Sequence, residues 1–313
     1  MRRVQLPGLI GMLITGMLFG PYTLDFVHHW VLDRSSDFRL FALMVILLRA
    51  GLTLNIQELR KIGRSVILMS LIPPSLEILL VTLIAPIFFP ISYLDAAIMG
   101  TVLSAVSPAI VVPRMIMRMN KSQDKLPQLM IASTAINGVI AIIVFSILLG
   151  FEGVGANPST IMRGVILPIF IVLCGIIVKK RDNIISLKIT QWSRIIWFPT
   201  EIILFVLVGA SLDMQYLTQT GGYSIVIIVL AVMVRMGGVM LSLMKETYTM
   251  KERLYCAISY VPKATVQATI GGTALALGLA AGQVILVVAV LSIIITAPIG
   301  AMLMDRKWFT KHP

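Results

Sequence analysis

Residues 47–59 read Leu-Leu-Arg-Ala-Gly-Leu-Thr-Leu-Asn-Ile-Gln-Glu-Leu, and residues 205–217 read Phe-Val-Leu-Val-Gly-Ala-Ser-Leu-Asp-Met-Gln-Tyr-Leu. The two segments match at a constant offset, which aligns Gly51 with Gly209. A repeat of this kind decides the architecture and is therefore considered before other features. Two weakly similar halves in an apolar chain are typical of secondary transporters.

The composition identifies the chain as a polytopic membrane protein. It is 58% hydrophobic and 13% charged, with a mean hydropathy of +0.96. A soluble domain of this size cannot cover so much apolar surface with so few charges. The net charge of +12 does not indicate nucleic-acid binding, because the basic residues lie in short loops between apolar runs. We therefore predict that the chain lies in a lipid bilayer and has no nucleic-acid partner.

Ten apolar runs are long enough to cross the roughly 30 Å hydrocarbon layer. Most of the 26 Lys and Arg residues fall in the loops on one side. This bias predicts a multi-pass protein of the plasma (inner) membrane with both termini in the cytoplasm. The runs lie near residues 5–22, 38–55, 65–90, 94–113, 128–150, 160–178, 194–213, 223–244, 254–273 and 283–304.

The ten spans divide into five and five at the loop near residues 151–159. An odd number of spans per half makes the second half enter the membrane from the opposite side. The sequence therefore predicts an all-α fold of two inverted five-helix repeats, at residues 1–150 and 160–305.

Two predicted spans contain prolines at corresponding places. Residues 104–113 contain Pro108, and residues 260–269 contain Pro262 followed by Lys263. Proline removes a backbone donor and interrupts a helix, which is tolerated in a membrane only inside protein or beside a cavity. We therefore expect crossed, discontinuous helices that form a transport site, although an ordinary kink is the alternative for each proline taken alone.

Glu77 and Arg235 are two charges inside apolar runs, and the repeat offset of 158 residues relates them. Charges within a membrane span are costly and need a partner or a function. We expect these two residues to form a buried ion pair that holds the halves in register, either as a static contact or also as a gate. Arg49 and Glu201 lie nearer helix ends, where reaching toward the interface is a sufficient explanation.

The sequence resembles the monovalent cation/proton antiporters, and most closely their NHA-type branch, in three strings. These are Leu-Leu-Arg-Ala-Gly-Leu-Thr-Leu (47–54), Ala-Val-Ser-Pro-Ala-Ile-Val-Val-Pro (105–113) and Val-Pro-Lys-Ala-Thr-Val-Gln-Ala (261–268). The resemblance implies the sodium/proton antiporter fold, a core domain that moves against a dimerisation domain as an elevator, and a homodimer. It makes Lys263 the lysine of the ion site, and Glu77 with Arg235 the core ion pair. It also implies a further amino-terminal span before residues 6–13.

One departure from the family pattern affects the ion site. The family carries an acidic pair in its fifth span, where this chain has Asn137 and Gly138. Asparagine can offer a carbonyl oxygen but cannot titrate. Because no acidic partner for Lys263 is evident, and burial favours a neutral amine, we expect Lys263 to carry the proton. Ser107, Thr134 and Asn137 would then supply uncharged oxygens near Pro108 and Pro262.

Three functions remain open at this point. The first is exchange of Na⁺, Li⁺ or K⁺ for H⁺ at an altered site. The second is transport of another substrate by the same fold, possibly an anion, because the site lacks the aspartate and is biased positive. The third is a paralogue that does not transport.

Enzymatic activity is not expected. His28, His29 and His312 lie outside the spans, and no nucleophile–base arrangement is evident. Cys174 and Cys256 have no metal-ligand spacing. We therefore predict no cofactor, and no metal beyond the transported cation.

Overall fold

The computed structural model describes residues 8–27, 29–53, 63–118, 125–152, 166–181 and 183–306. Within these ranges the chain is built of helices and short connections, without a strand. The predictions for His28, His312 and most of the loop at 151–159 fall outside the described residues, as does the end of the first repeated segment.

The described residues contain thirteen helices. They are α1 (Gly8–Phe19), α2 (His29–Asp33), α3 (Ser35–Thr53), α4 (Arg64–Phe88), α5 (Tyr93–Ser104), α6 (Pro108–Arg118), α7 (Lys125–Phe151), α8 (Leu167–Arg181), α9 (Asn183–Ala210), α10 (Met214–Ser242), α11 (Met250–Ser259), α12 (Thr265–Ala276) and α13 (Gly282–Met304).

The helices fit the predicted class of membrane protein. Within the described ranges, six stretches are long and apolar enough to cross a bilayer: α4, α5 with α6, α7, most of α9, α10 and α13. The helix α1 is apolar but shorter. Helix occurs in each of the ten predicted spans, but the count of ten crossings stays a prediction.

Two spans are interrupted, and both begin with the same cap. Ser92 accepts a hydrogen bond from the Asp95 amide at the start of α5, and Thr249 accepts one from the Glu252 amide at the start of α11. In each pair the carboxylate also accepts a hydrogen bond from the backbone amide of the cap residue. These bonds satisfy amides that the start of a helix leaves without a partner. The two interrupted spans therefore start their helices in the same way.

Both interruptions lie at the predicted prolines. The helix α5 ends at Ser104, and α6 begins at Pro108, where a missing N–H costs no helical hydrogen bond. The second interruption separates α11 from α12, and Pro262 lies within it. The chain is therefore non-helical in the middle of two otherwise apolar spans.

The helices form two bundles. In the first, α4 packs on α5, α7 and α10, while α13 packs on α10 and α12. We call this set, α4–α7 with α10–α13, the core bundle. In the second, α1 packs on α9 and α3 packs on α8 and α9. We call α1, α3, α8 and α9 the panel, which meets the core bundle mainly where α3 and α9 contact α12.

Glycines allow close helix contacts in the panel. A Cβ on Gly209 of α9 would overlap the Leu13 carbonyl of α1, and Gly16 of α1 has no room for a Cβ beside α9. In the same way, Gly51 of α3 and Gly175 of α8 have no room for a Cβ at each other's backbone. Two helix pairs of the panel, α1 with α9 and α3 with α8, are therefore packed closely through glycines.

Candidate ion site

The two interruptions lie against each other in the core bundle. The backbone amide of Ser107 donates to the Pro262 carbonyl over 3.0 Å. The last carbonyls of α5 have lost the helical partners that a continuous helix would supply. The site is therefore built from backbone groups of both interruptions and from the side chains that reach them.

A buried carboxylate joins two cations at this crossing. Glu77 of α4 accepts a hydrogen bond from Arg235 of α10 through Oε2. Its Oε1 accepts one from the Lys263 ammonium over 2.7 Å. All three side chains are 0% exposed. The structure thus brings Glu77 and Arg235 together, as the repeat offset predicts.

The expectation that Lys263 has no counter-ion is wrong. It counted Glu77 as fully used by Arg235, although a carboxylate has two oxygens and can accept from both cations. Lys263 projects from the non-helical stretch between α11 and α12 and reaches Oε1 of Glu77. The lysine is therefore already paired in this conformation.

Backbone carbonyls offset the second positive charge. Arg235 donates to the carbonyls of Ser104, Leu103 and Tyr260, the last two over 3.3 Å. Lys263 donates to the Leu103 carbonyl. Carbonyls at a helix carboxyl end carry partial negative charge. The ends of α5 and α11 therefore help to hold two cations on one carboxylate.

Asn137 serves the first interruption as a bridge. Its Oδ1 accepts a hydrogen bond from the Val106 amide over 2.7 Å, and its side-chain amide donates to the Ser104 carbonyl over 3.3 Å. The neighbouring Gly138 is buried, and a Cβ there would meet no atom within 4 Å. The position next to Asn137 thus has room for a Cβ but carries no side chain.

The two predicted hydroxyl ligands differ. Thr134 donates to the Met130 carbonyl of its own helix over 2.7 Å. The Ser107 hydroxyl is buried and has no hydrogen-bond partner among the described residues. Ser107 is therefore the better candidate for an uncharged ligand.

The sequence reading missed Gln267 and Thr296. Gln267 donates to the Ala105 carbonyl over 2.5 Å and accepts from the Ala264 amide over 2.8 Å. Thr296 accepts from the Lys263 amide over 3.0 Å. Gln267 lies in the quoted string at 261–268, and an amide with both donor and acceptor groups beside a proline was the available signal.

Two arginines of α3 have specific partners. Arg39 is 1% exposed in α3 and donates to the Gly272 carbonyl over 2.6 Å and to the Ser211 hydroxyl over 2.8 Å. It is buried because α12 and the end of α9 cover the first turn of α3. Arg49 lies 5.4 Å from the ring centre of Trp197, so it has an aromatic partner on α9.

We expect Asn137→Ala to destabilise the protein through the first interruption. The change leaves the Val106 amide without its acceptor, which costs about 1–3 kcal/mol. It also takes one of two donors from the Ser104 carbonyl, which keeps Arg235. Thermal unfolding in detergent measures the loss. Ser146→Ala on the same helix removes only a bond to the Ile142 carbonyl and is the control. Equal unfolding temperatures for the two variants would contradict the bridging role.

The comparisons with known proteins agree with this architecture. The family model described as sodium/hydrogen exchanger, transmembrane, matches residues 1–195 and 169–305. The chain therefore belongs to the sodium/hydrogen exchanger family, within the monovalent cation/proton antiporters. It is 28% identical to sodium/hydrogen exchanger 9B2 of Homo sapiens, over 95% of this chain and 68% of that protein.

Two further comparisons concern length and fold. The match to sodium/hydrogen exchanger 9B1 of Homo sapiens is 28% identical and covers 98% of this chain and 73% of that protein. This alignment runs over 381 positions, more than the 313 residues of the chain. The relative therefore has residues without a counterpart in this chain. The sodium proton antiporter MjNhaP1 of Methanocaldococcus jannaschii has a similar fold, with a TM-score of 0.77, 16% identity, and coverage of 98% and 91% of the two chains.

Proposed function

We propose that the protein exchanges a monovalent cation (Na⁺, Li⁺ or K⁺) for a proton, and that Lys263 carries the proton. The observation that supports this is the Lys263 ammonium, fully buried and held on Glu77 where two interrupted helices meet. A lysine can lose its proton in such surroundings, whereas arginine keeps its charge. Of the two cations held on Glu77, Lys263 is therefore the one that can release a proton.

The exchange follows from electrostatics. Glu77 already balances one charge, on Arg235, so a protonated Lys263 and an incoming cation would repel each other in a site of low dielectric. Entry of the cation therefore favours release of the lysine proton. Ser107 offers an oxygen, while Asn137 keeps the interruption intact on the other side.

We propose that ten spans form two inverted repeats, at residues 1–150 and 160–305, and that the core bundle moves against the panel as an elevator. The reciprocal contacts of α1 with α9 and of α3 with α8 support the repeats, as do the matching caps of α5 and α11. The proposal includes a homodimer in the plasma membrane with cytoplasmic termini.

Flux in vesicles tests the proposed function. Purified protein in proteoliposomes with a pH-sensitive dye should move protons when Na⁺, Li⁺ or K⁺ is added, but not when choline is added.

A second function, anion transport, is favoured by the excess positive charge on Glu77, Arg235 and Lys263. Uptake of chloride without cation-driven proton movement would support it against our proposal. Neither flux, in folded protein, would indicate a paralogue that does not transport.

Movement at the boundary of the two bundles can be tested through Arg39, because its guanidinium spans the gap from α3 to Gly272 of α12. In a background without Cys174 and Cys256, Arg39→Cys/Gly272→Cys can be joined by a thiol cross-linker of about arginine length. We expect the cross-link to stop exchange and its cleavage to restore it, and the double variant to be active before the cross-linker is added. Full activity of the cross-linked protein would contradict an elevator movement.

A further inference from the structure

The surroundings of the Lys263 ammonium are those of a cation-binding site. Its nitrogen contacts Oε1 of Glu77 over 2.7 Å and the Leu103 carbonyl. Carboxylate and carbonyl oxygens are the ligands that hard metal cations prefer. The protein's own ammonium therefore occupies a position with the right oxygens for an alkali cation.

We propose that the transported cation binds at this position, on Oε1 of Glu77 and the Leu103 carbonyl, in place of the Lys263 ammonium. Glu77 of α4, rather than a residue of the fifth span, is then the anionic ligand. This inference rests on the proposed function, because it assigns the atoms that hold the exchanged cation.

The alternative position, on α7, lacks an acidic residue. The helix α7 contains no Asp or Glu. The Asn137 side chain is engaged at both its donor and its acceptor, and Thr134 donates to its own helix. A buried cation without a carboxylate is costly. Within the described residues, Glu77 is the carboxylate in contact with the crossing.

The two oxygens of Glu77 have different functions. Oε2 is held by the guanidinium of Arg235, which keeps the carboxylate in place. Oε1 is held by Lys263, which can lose its proton and withdraw. Exchange therefore takes place on Oε1 alone.

The charge balance gives the stoichiometry. The ammonium proton leaves as the cation arrives on Oε1, so the charge of Glu77, Arg235, Lys263 and the cation together stays the same. One proton is released for each cation bound. Exchange by this site is therefore electroneutral, and an imposed membrane potential should not drive it.

Cation binding to purified protein in detergent tests the site, with Na⁺ or Li⁺ against choline and the unfolding temperature as the readout. In the wild type, proton and cation compete, so the apparent affinity should rise with pH by up to about tenfold per unit. Lys263→Met leaves the Glu77–Arg235 pair but no competing ammonium, and should bind Na⁺ equally at acidic and alkaline pH. Glu77→Gln/Arg235→Gln removes the carboxylate without leaving its arginine unpaired, and should show no Na⁺ effect.

The outcomes separate the site from the function. If wild-type vesicles exchange cations for protons, but folded Lys263→Met gains no stability from Na⁺, the cation does not bind at Oε1. Retention of the Na⁺ effect in the folded double variant would also overturn the assignment. Exchange driven by membrane potential would contradict the stoichiometry, whereas absence of cation-driven proton flux in the wild type would contradict the proposed function itself.

Discussion

Glu77→Gln is expected to lower the free energy of unfolding by about 3–5 kcal/mol. The change removes the carboxylate shared by Arg235 and Lys263, and leaves two buried cations without an anion. Arg235→Gln should cost less, because Glu77 and Lys263 then remain as a neutral pair. The order of the two effects follows from two cations sharing one carboxylate.

Denaturant or thermal unfolding in the same detergent measures both variants. Glu77→Gln/Arg235→Gln should be more stable than Glu77→Gln, because the remaining Lys263 can become neutral whereas Arg235 cannot. A double variant as unstable as the single one, or Arg235→Gln more damaging than Glu77→Gln, would contradict the shared carboxylate.

Lys263→Gln is expected to abolish pH-dependent exchange in proteoliposomes. Glutamine cannot release a proton, while the Glu77–Arg235 contact is preserved, so the protein should still fold. Lys245→Gln, at an exposed lysine after α10, is the matched control and should exchange normally. Full proton-coupled exchange in Lys263→Gln would show that another group carries the proton, and Glu201 would be the next acid to test.

A further variant, Gly138→Asp, keeps Lys263 and adds an acidic side chain to α7. A Cβ at Gly138 meets no atom within 4 Å, so its immediate surroundings do not oppose an aspartate, the acid that the family pattern has at this position. We expect the variant to bind cations more tightly than the wild type, measured by Na⁺-dependent unfolding temperature. Gly138→Asn has a similar size without charge and should not.

The interrupted helices and the Glu77–Arg235 contact could be predicted from the sequence. Proline chemistry marks the interruptions, and the offset of the repeated segments relates Glu77 to Arg235. The contact of Lys263 with Glu77 could not be predicted in this way. The repeat offset relates Lys263 to Ala105, which has no charge, so the contact depends on how the second interruption packs against α4.

The roles of Asn137, Gln267 and Arg39 depend on backbone groups whose positions only the packed structure provides. Asn137 and Gln267 hydrogen-bond amides and carbonyls next to the interruptions. Arg39 lies on carbonyl and hydroxyl oxygens of α12 and the end of α9. A residue type can suggest such bonds, but the partner is fixed by tertiary contacts far away in sequence.

Proton release on cation binding is the most direct test of the claim that a cation replaces the proton of Lys263. Purified protein in weakly buffered detergent solution receives Na⁺ or Li⁺, with choline as the control, and a pH indicator records the released protons. We predict close to one proton per bound cation for the wild type, and none for folded Lys263→Gln. Cation binding without proton release in the wild type, or equal release from Lys263→Gln, would contradict the account.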